Sequence, residues 1–389
     1  MQLQLPEPSL DAMMASRSLQ TLIANDIRHN SGWISFARYM ELALYAPKLG
    51  YYSGGATKLG KDGDFTTAPE ITSLFGAALA HVTAELMAQS APQIMEFGAG
   101  TGKLAFDMLT ELAAMGLRVH RYLIIEVSGE LRARQQEMLR NFPQVRWLEQ
   151  LPPAFSGVVV GNEVLDAMPV HLVVKTEQGW RERGIGLFGV SAKKFVYRDH
   201  TCAPSLIAQI PDAESLPIGY LTEVHPTASG FMKSLAEMLC AGHHNSGLGG
   251  AAILFDYGFP AHEFYLPQRT RGTLMCHYRH HAHDDPMYLP GLQDITAHVD
   301  FSAMAHAAVG GGLDVLGYTS QAAFLIDAGI GDLLLRTPPS DGKHYLPQSN
   351  AVQKLISPAE MGELFKVLVV GKNASLSDKF CRNDRCGRL

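Results

Sequence analysis

The apolar run 94–97 leads directly into Gly98-Ala99-Gly100-Thr101-Gly102, and a helix-periodic stretch follows over 104–115. Glycines at a strand-to-helix junction let the chain turn tightly, bring backbone N–H groups against a ligand and seat the helix close to the sheet. The same alternation continues along the chain: strands are expected at 122–127, 145–148, 158–160, 251–255, 313–316 and 367–370, with a helix at 130–139. Near-continuous apolar strands alternating with helices imply an α/β fold, a doubly wound, largely parallel sheet covered on both faces. A hydrophobic content of 47% supplies a large core and excludes wholesale disorder.

The first 90 residues read as mostly helical, with Leu19, Ile23 and Ile27 at helical spacing, interrupted by a glycine-rich stretch at 50–65. Two insertions break the core pattern. Residues 170–220 alternate as hairpin strands do, whereas 260–300, rich in His, Pro and Arg, reads as loop. The expected organisation is a helical cap at 1–90, a core at 91–372 carrying both insertions, and a tail at 373–389 that reads as frayed.

Spacing narrows what the glycine loop can hold. A dinucleotide fingerprint needs glycine where Lys103 stands, and a phosphate-binding P-loop needs glycine and a hydroxyl residue where Phe97 and Leu104 stand. The observed G-x-G-x-G with Glu96 just before it is the form found in enzymes that use S-adenosylmethionine (SAM). Glu126, 28 residues after Gly98, falls where a carboxylate can accept from both hydroxyls of a ribose, or can be an ordinary solvated acid. Past the run 158–160 come Asn162, Glu163 and Asp166. The two acids are three apart and suit a cationic acceptor such as a guanidinium, the alternative being helix-cap roles.

Charge and cysteines set further bounds. The balance of 32 basic and 38 acidic residues, −6 overall, argues against a nucleic-acid binder. No apolar run is long enough to cross a membrane. Residues 1–15 contain no Lys or Arg and no long apolar segment, so neither a secretory nor a transit sequence is expected. Five scattered cysteines read as reduced thiols, and together these features give a cytoplasmic expectation. The histidines of 277–283 invite a zinc reading, but no clean ligand spacing supports it, and no metal is expected.

Several blocks together resemble the MidA-type SAM-dependent methyltransferases, from about residue 18 to residue 372. They are Gly50-Tyr51-Tyr52, Gly63 to Glu70, Glu96 to Gly102, Asn162 to Pro169, Asp256-Tyr257-Gly258, Asp294 to Phe301, and Met361 to Leu368. The resemblance implies a class I methyltransferase fold, Rossmann-like, with a seven-stranded mixed sheet whose last strand, from Phe365, is antiparallel. It implies SAM as cofactor, held by Glu96, Gly98, Gly100, Gly102, Glu126, Asn162, Thr67 and Pro69, with the N-terminal helices and the 63–70 segment closing over it. The mitochondrial members are complex I assembly factors that methylate a protein arginine. By analogy Glu163 and Asp166 are the catalytic pair, and a protein substrate carrying an arginine is the implied partner. His298, Asp300 and Glu223 are candidates for acceptor contacts; each could equally brace a loop or a helix start. A SAM enzyme acting on a small molecule or another side chain, and a SAM-binding assembly chaperone, are the alternatives. Oligomeric state is not legible.

Overall fold

The computed structural model describes residues 5–54, 66–189 and 194–389, the Cys381 side chain excepted. The chain divides into two compact units, each built from three separate segments. One comprises 66–164, 230–260 and 304–389; the other comprises 1–65, 165–229 and 261–303.

The first unit contributes seven strands to an eight-stranded mixed sheet. Its strands are β1 (Gln93–Phe97), β2 (Arg121–Ile125), β3 (Val145–Leu148), β4 (Val158–Asn162), β5 (Gly250–Phe259), β6 (Asp314–Ser320) and β7 (Phe365–Lys372). They lie in the order β3-β2-β1-β4-β5-β7-β6. The pairings from β3 through β5 are parallel, and β7 runs antiparallel between β5 and β6. This is the class I methyltransferase arrangement that the resemblance implies. Val158, Val159 and Val160 are all fully buried, as a central strand covered on both faces must be. The helices α1 (Ser73–Met87), α2 (Lys103–Ala114) and α3 (Gly129–Met138) flank the sheet. Phe75, Leu79 and Val82 of α1 join Leu104 and Met108 of α2 and Ile94, Ile124 and Ile253 of the strands in one apolar core. Truncating such a side chain as Phe75 costs about 3–5 kcal/mol. Strand order reverses between β1 and β4, and open α/β sheets bind ligands outside the carboxyl ends of the strands at that point.

The second unit packs the helices Leu10–His29 and Phe36–Tyr45 with strands of an antiparallel sheet. Leu19, Ile23 and Ile27 are indeed its inward stripe, fully buried with Phe36, Tyr39, Leu172 and Ile185. The 170–220 insertion supplies the strands His171–Thr176, Gly179–Phe188 and Lys194–Thr201.

Three expectations need correction. Helix α1, assigned by sequence to the N-terminal cap, belongs to the sheet unit, because its apolar face is part of the sheet's core. The stretch 260–300 is not all loop: Met275–Tyr278, His281–His283 and Asp294–Thr296 form a three-stranded sheet. Its hairpin turns through Arg279 and His280, both with positive φ (47° and 62°), a left-handed two-residue turn made without glycine. The tail is not frayed either. Arg385 N–H donates to Tyr318 O at 2.7 Å, Thr319 Oγ1 donates to Asn383 O at 2.8 Å, and Phe380 is buried.

Candidate functional site

The loop after β1 is shaped by its glycines. Gly98, Gly100 and Gly102 have φ of 60°, 52° and 89°, all in the left-handed region that L side chains avoid. Gly98 N–H donates to Ile125 O at 3.1 Å, joining the loop to the end of β2, and Gly102 N–H closes the turn on Ala99 O at 2.7 Å. A Cβ at Gly102 would sit 3.3 Å from Gln135 Cα, so the loop also rests closely on α3. Thr101 Oγ1 donates to Glu70 Oε1 at 2.5 Å, linking the loop to the short helix Ala68–Ile71. Thr67 stands at the start of that helix and Pro69 is buried in its first turn. The 63–65 part of the expected closing segment lies outside the described residues.

Gln135 was not among the residues singled out by sequence. It is fully buried, and its Nε2 lies 2.9 Å from Gly100 O and 2.8 Å from Glu126 Oε2. Its Oε1 accepts from Trp147 Nε1 at 2.9 Å, which fixes the amide orientation. The other oxygen of Glu126 accepts from Ser128 N–H at 2.8 Å. Glu126 is thus a carboxylate oriented just past β2 by Gln135 and the Ser128 backbone.

Glu96 is differently placed. It is 2% exposed and accepts from Tyr122 Oη at 2.7 Å within the core. Burial pushes its carboxyl up to about 8; the Tyr122 hydroxyl opposes that shift and the Glu126 charge adds to it. Through Tyr122 it fixes the end of β1.

At the end of β4, Asn162 Nδ2 donates to Glu163 Oε1 at 2.9 Å, and Asn162 Oδ1 is buried with no hydrogen-bond partner among the described residues. Glu163 has a φ of 54°, and its N–H donates to Phe255 O at 2.9 Å. Val164 N–H donates to Asp256 Oδ2 at 3.2 Å, so the fully buried Asp256 of the Asp-Tyr-Gly block fastens this turn to β5. A Cβ on Gly98 would lie 3.6 Å from Val164 Cγ2, so the two turns meet at the β1/β4 switch point.

Asp166 falls within the second unit. It is 5% exposed, and its backbone carbonyl accepts from Ala297 N–H at 3.0 Å. In the same unit Tyr52 Oη lies 3.1 Å from both carboxylate oxygens of Asp294 and stacks on Tyr45, which donates to Ala167 O. Burial above all, with Asp294 next, holds the Tyr52 phenol well above its ordinary range.

The remaining candidates lie in the second unit. Glu223 is fully buried and accepts from Thr273 N–H at 2.8 Å, Leu274 N–H at 3.0 Å and Thr273 Oγ1 at 3.2 Å. With no exposed surface and its oxygens so occupied, it holds the 272–274 turn rather than facing a pocket. Asp300 is 2% exposed; its Oδ1 accepts from Ala303 N–H at 3.1 Å at the start of the helix Phe301–Gly310, and Tyr265 bonds it as well. The backbone of His298 accepts from the His225 ring at 3.0 Å and donates to Thr273 Oγ1 at 3.0 Å. Among the described residues no group of three or more His, Cys, Asp or Glu could hold a metal ion, and no helix is long and apolar enough to cross a membrane.

The family model of S-adenosyl-L-methionine-dependent methyltransferases matches residues 74–319. A solved structure from Burkholderia thailandensis, bound to S-adenosyl-homocysteine, is 50% identical with a TM-score of 0.92, covering 99% of this chain and 100% of that one. The mitochondrial protein arginine methyltransferase NDUFAF7 of Danio rerio is 31% identical over 90% of this chain and 86% of its own length. The Homo sapiens protein of the same name is 29% identical over 92% and 84%. These relatives are named mitochondrial, which overturns the cytoplasmic expectation.

Proposed function

We propose that the chain, which belongs to the family of S-adenosyl-L-methionine-dependent methyltransferases, methylates an arginine side chain of a partner protein, a respiratory complex I-type subunit being the substrate class. The named activity of its arginine-methylating relatives supports this reading. The observation that carries it is the approach of the Asn162–Val164 turn to the glycine loop at the switch point of the sheet, where a Cβ on Gly98 would lie 3.6 Å from Val164 Cγ2.

The cofactor is SAM, whose sulfonium supplies an electrophilic methyl group. The residues present fit it: the three left-handed glycines keep Cβ atoms off the surface of the loop, Glu126 is an oriented carboxylate just past β2 where a ribose would be recognised, and Asn162 Oδ1 is a buried acceptor without a partner among the described residues.

An arginine keeps its proton in water, with a pKa above about 12. Glu163 would hold the guanidinium as a bidentate acceptor, neutralise it and turn one nitrogen toward the methyl group, Asp166, three further along the sequence, being the second candidate acid. That nitrogen forms its bond to carbon as the carbon–sulfur bond breaks, and it sheds one proton to solvent. The methylated guanidinium remains a cation, so no strong base is required.

The test is transfer of labelled methyl groups into a lysate lacking this protein, with wild type and Glu163→Gln in parallel. A discrete protein band labelled by wild type alone, with the label mapped to arginine by mass spectrometry, is the expected result. Label confined to small molecules, or full activity in the variant, would overturn the reading.

A further inference from the structure

The amino ends of the parallel strands carry a second feature, away from the glycine loop. A groove of about 890 Å³ opens there, and Arg118, His120, Arg121 and Arg146 line it together with Leu117 and Phe142. Arg121 is the first residue of β2, whose other end meets Gly98. At a rise of about 3.3 Å per residue the groove is on the order of 13 Å from the cofactor loop.

Its chemistry is one-sided. No acidic residue lines it, and Arg118, Arg121 and Arg146 make no ion pair among the described residues, although the chain as a whole carries −6. Elsewhere in this unit Arg134 pairs with Glu130, Arg140 with Glu137 and Arg336 with Glu111. Arg118, His120 and Arg121 are exposed. Arg146 is fixed by donating to Pro143 O at 2.5 Å and Val145 O at 2.8 Å. The apolar part is a real surface: Leu117 is 39% exposed, and Phe142 packs edge-on against Phe106, 37% exposed.

We propose that this groove docks an acidic segment of a protein partner, with its carboxylates on the arginine forks and an apolar side chain against Leu117 and Phe142. Arginine forks suit carboxylates bidentately, and a guanidinium is more weakly hydrated than an ammonium, so it can be covered by a partner at less cost. Charge complementarity in a net-acidic protein speeds and orients such an encounter. A nucleic acid is disfavoured, because three arginines neutralise few phosphates and the rest of the chain repels the polymer. The site lies apart from the methyl-transfer residues, so it would hold or deliver a partner rather than take part in the reaction, and it does not rest on the arginine reading above.

The experiment is fluorescence anisotropy with a labelled peptide alternating glutamate with leucine and phenylalanine. It is compared with a version whose apolar residues are serine and with a single-stranded oligonucleotide of equal charge. Wild type should bind the first probe at least about tenfold more tightly than either comparator. Arg118→Glu with Arg121→Glu should lose that binding while SAM affinity, measured by calorimetry, stays unchanged. Phe142→Ser should weaken the peptide alone. Absent peptide binding, binding indifferent to the charge reversal, or an oligonucleotide bound as tightly as the peptide would each overturn the proposal.

Discussion

Gln135 donates its amide to the carboxylate of Glu126 at 2.8 Å, and through the same nitrogen it holds the carbonyl of Gly100. One side chain therefore couples the orientation of the strand-end acid to the shape of the glycine loop. Replacing Gln135 by Ala removes both bonds and leaves Trp147 Nε1 without its acceptor. SAM affinity should fall about tenfold, roughly the 1.4 kcal/mol that one to two such bonds contribute. Glu126→Ala should cost at least as much if its lone pairs receive the ribose. Calorimetric titration of both variants measures this; an unchanged Gln135→Ala would sink the coupling.

Glu163 occupies a left-handed backbone conformation, φ 54°, that costs an L residue about 1 kcal/mol. Glu163→Gly should therefore hold or raise the melting temperature while abolishing most methyl transfer. A stabilised but inactive variant is the mark of strain kept for function. A destabilised one would show that the Asn162 bond outweighs the strain.

Glu96 gives a pH signature. Its folded carboxyl is pushed up to about 8 from an ordinary 4.5, chiefly by burial. Between those two values the unfolded chain ionises Glu96 and the folded chain does not, so stability falls as pH rises through that window. The slope reaches about 1.4 kcal/mol per pH unit. Glu96→Gln, which mimics the protonated form and can still accept from Tyr122, should lose the slope and exceed wild type above pH 8. Chemical denaturation across that range is the measurement, and parallel curves for the two proteins would refute the assignment.

Glu223 and Gly272 form a lock that should act on stability. A Cβ at Gly272, where φ is 69°, would come within 2.3 Å of Glu223 Oε1. Gly272→Ala should destabilise by about 2 kcal/mol or more. Glu223→Ala leaves the part-buried N–H groups of Thr273 and Leu274 without their acceptor, at a cost of about 1–3 kcal/mol. Methyl transfer per folded molecule should change little in either variant, which thermal melting paired with active-site titration can separate.

The core was legible because its signals are local. Val158 to Val160 can be apolar on both faces only inside a covered sheet, and three glycines in alternation can only make a tight turn. What stayed hidden depends on direction and partner. Glu96, Glu223 and Asp300 are acids in suggestive places, but sequence marks the residue type and not where the side chain points; all three turn inward to hold Tyr122, Thr273 and Ala303. Gln135 is a polar residue on an ordinary helix pattern and acquires meaning only when α3 meets the loop. The hairpin at 275–283 was missed because its turn uses Arg279 and His280, residues that seldom adopt that conformation. The tail's anchoring to Tyr318 and Thr319 rests on contacts with residues more than sixty positions earlier, which no window along the chain can contain.

Strand β7 pairs on one side with β5 and on the other with β6. During synthesis, then, residues 314–320 emerge from the ribosome with no neighbour to bond, and they must wait for residues 365–372. A messenger truncated anywhere between would yield a chain with the glycine loop and Glu163 already made but with the flank of β5 open along its whole length. Quality control would meet an exposed edge rather than a weakened enzyme, so late nonsense mutations should behave as complete losses of protein and not as partial losses of activity.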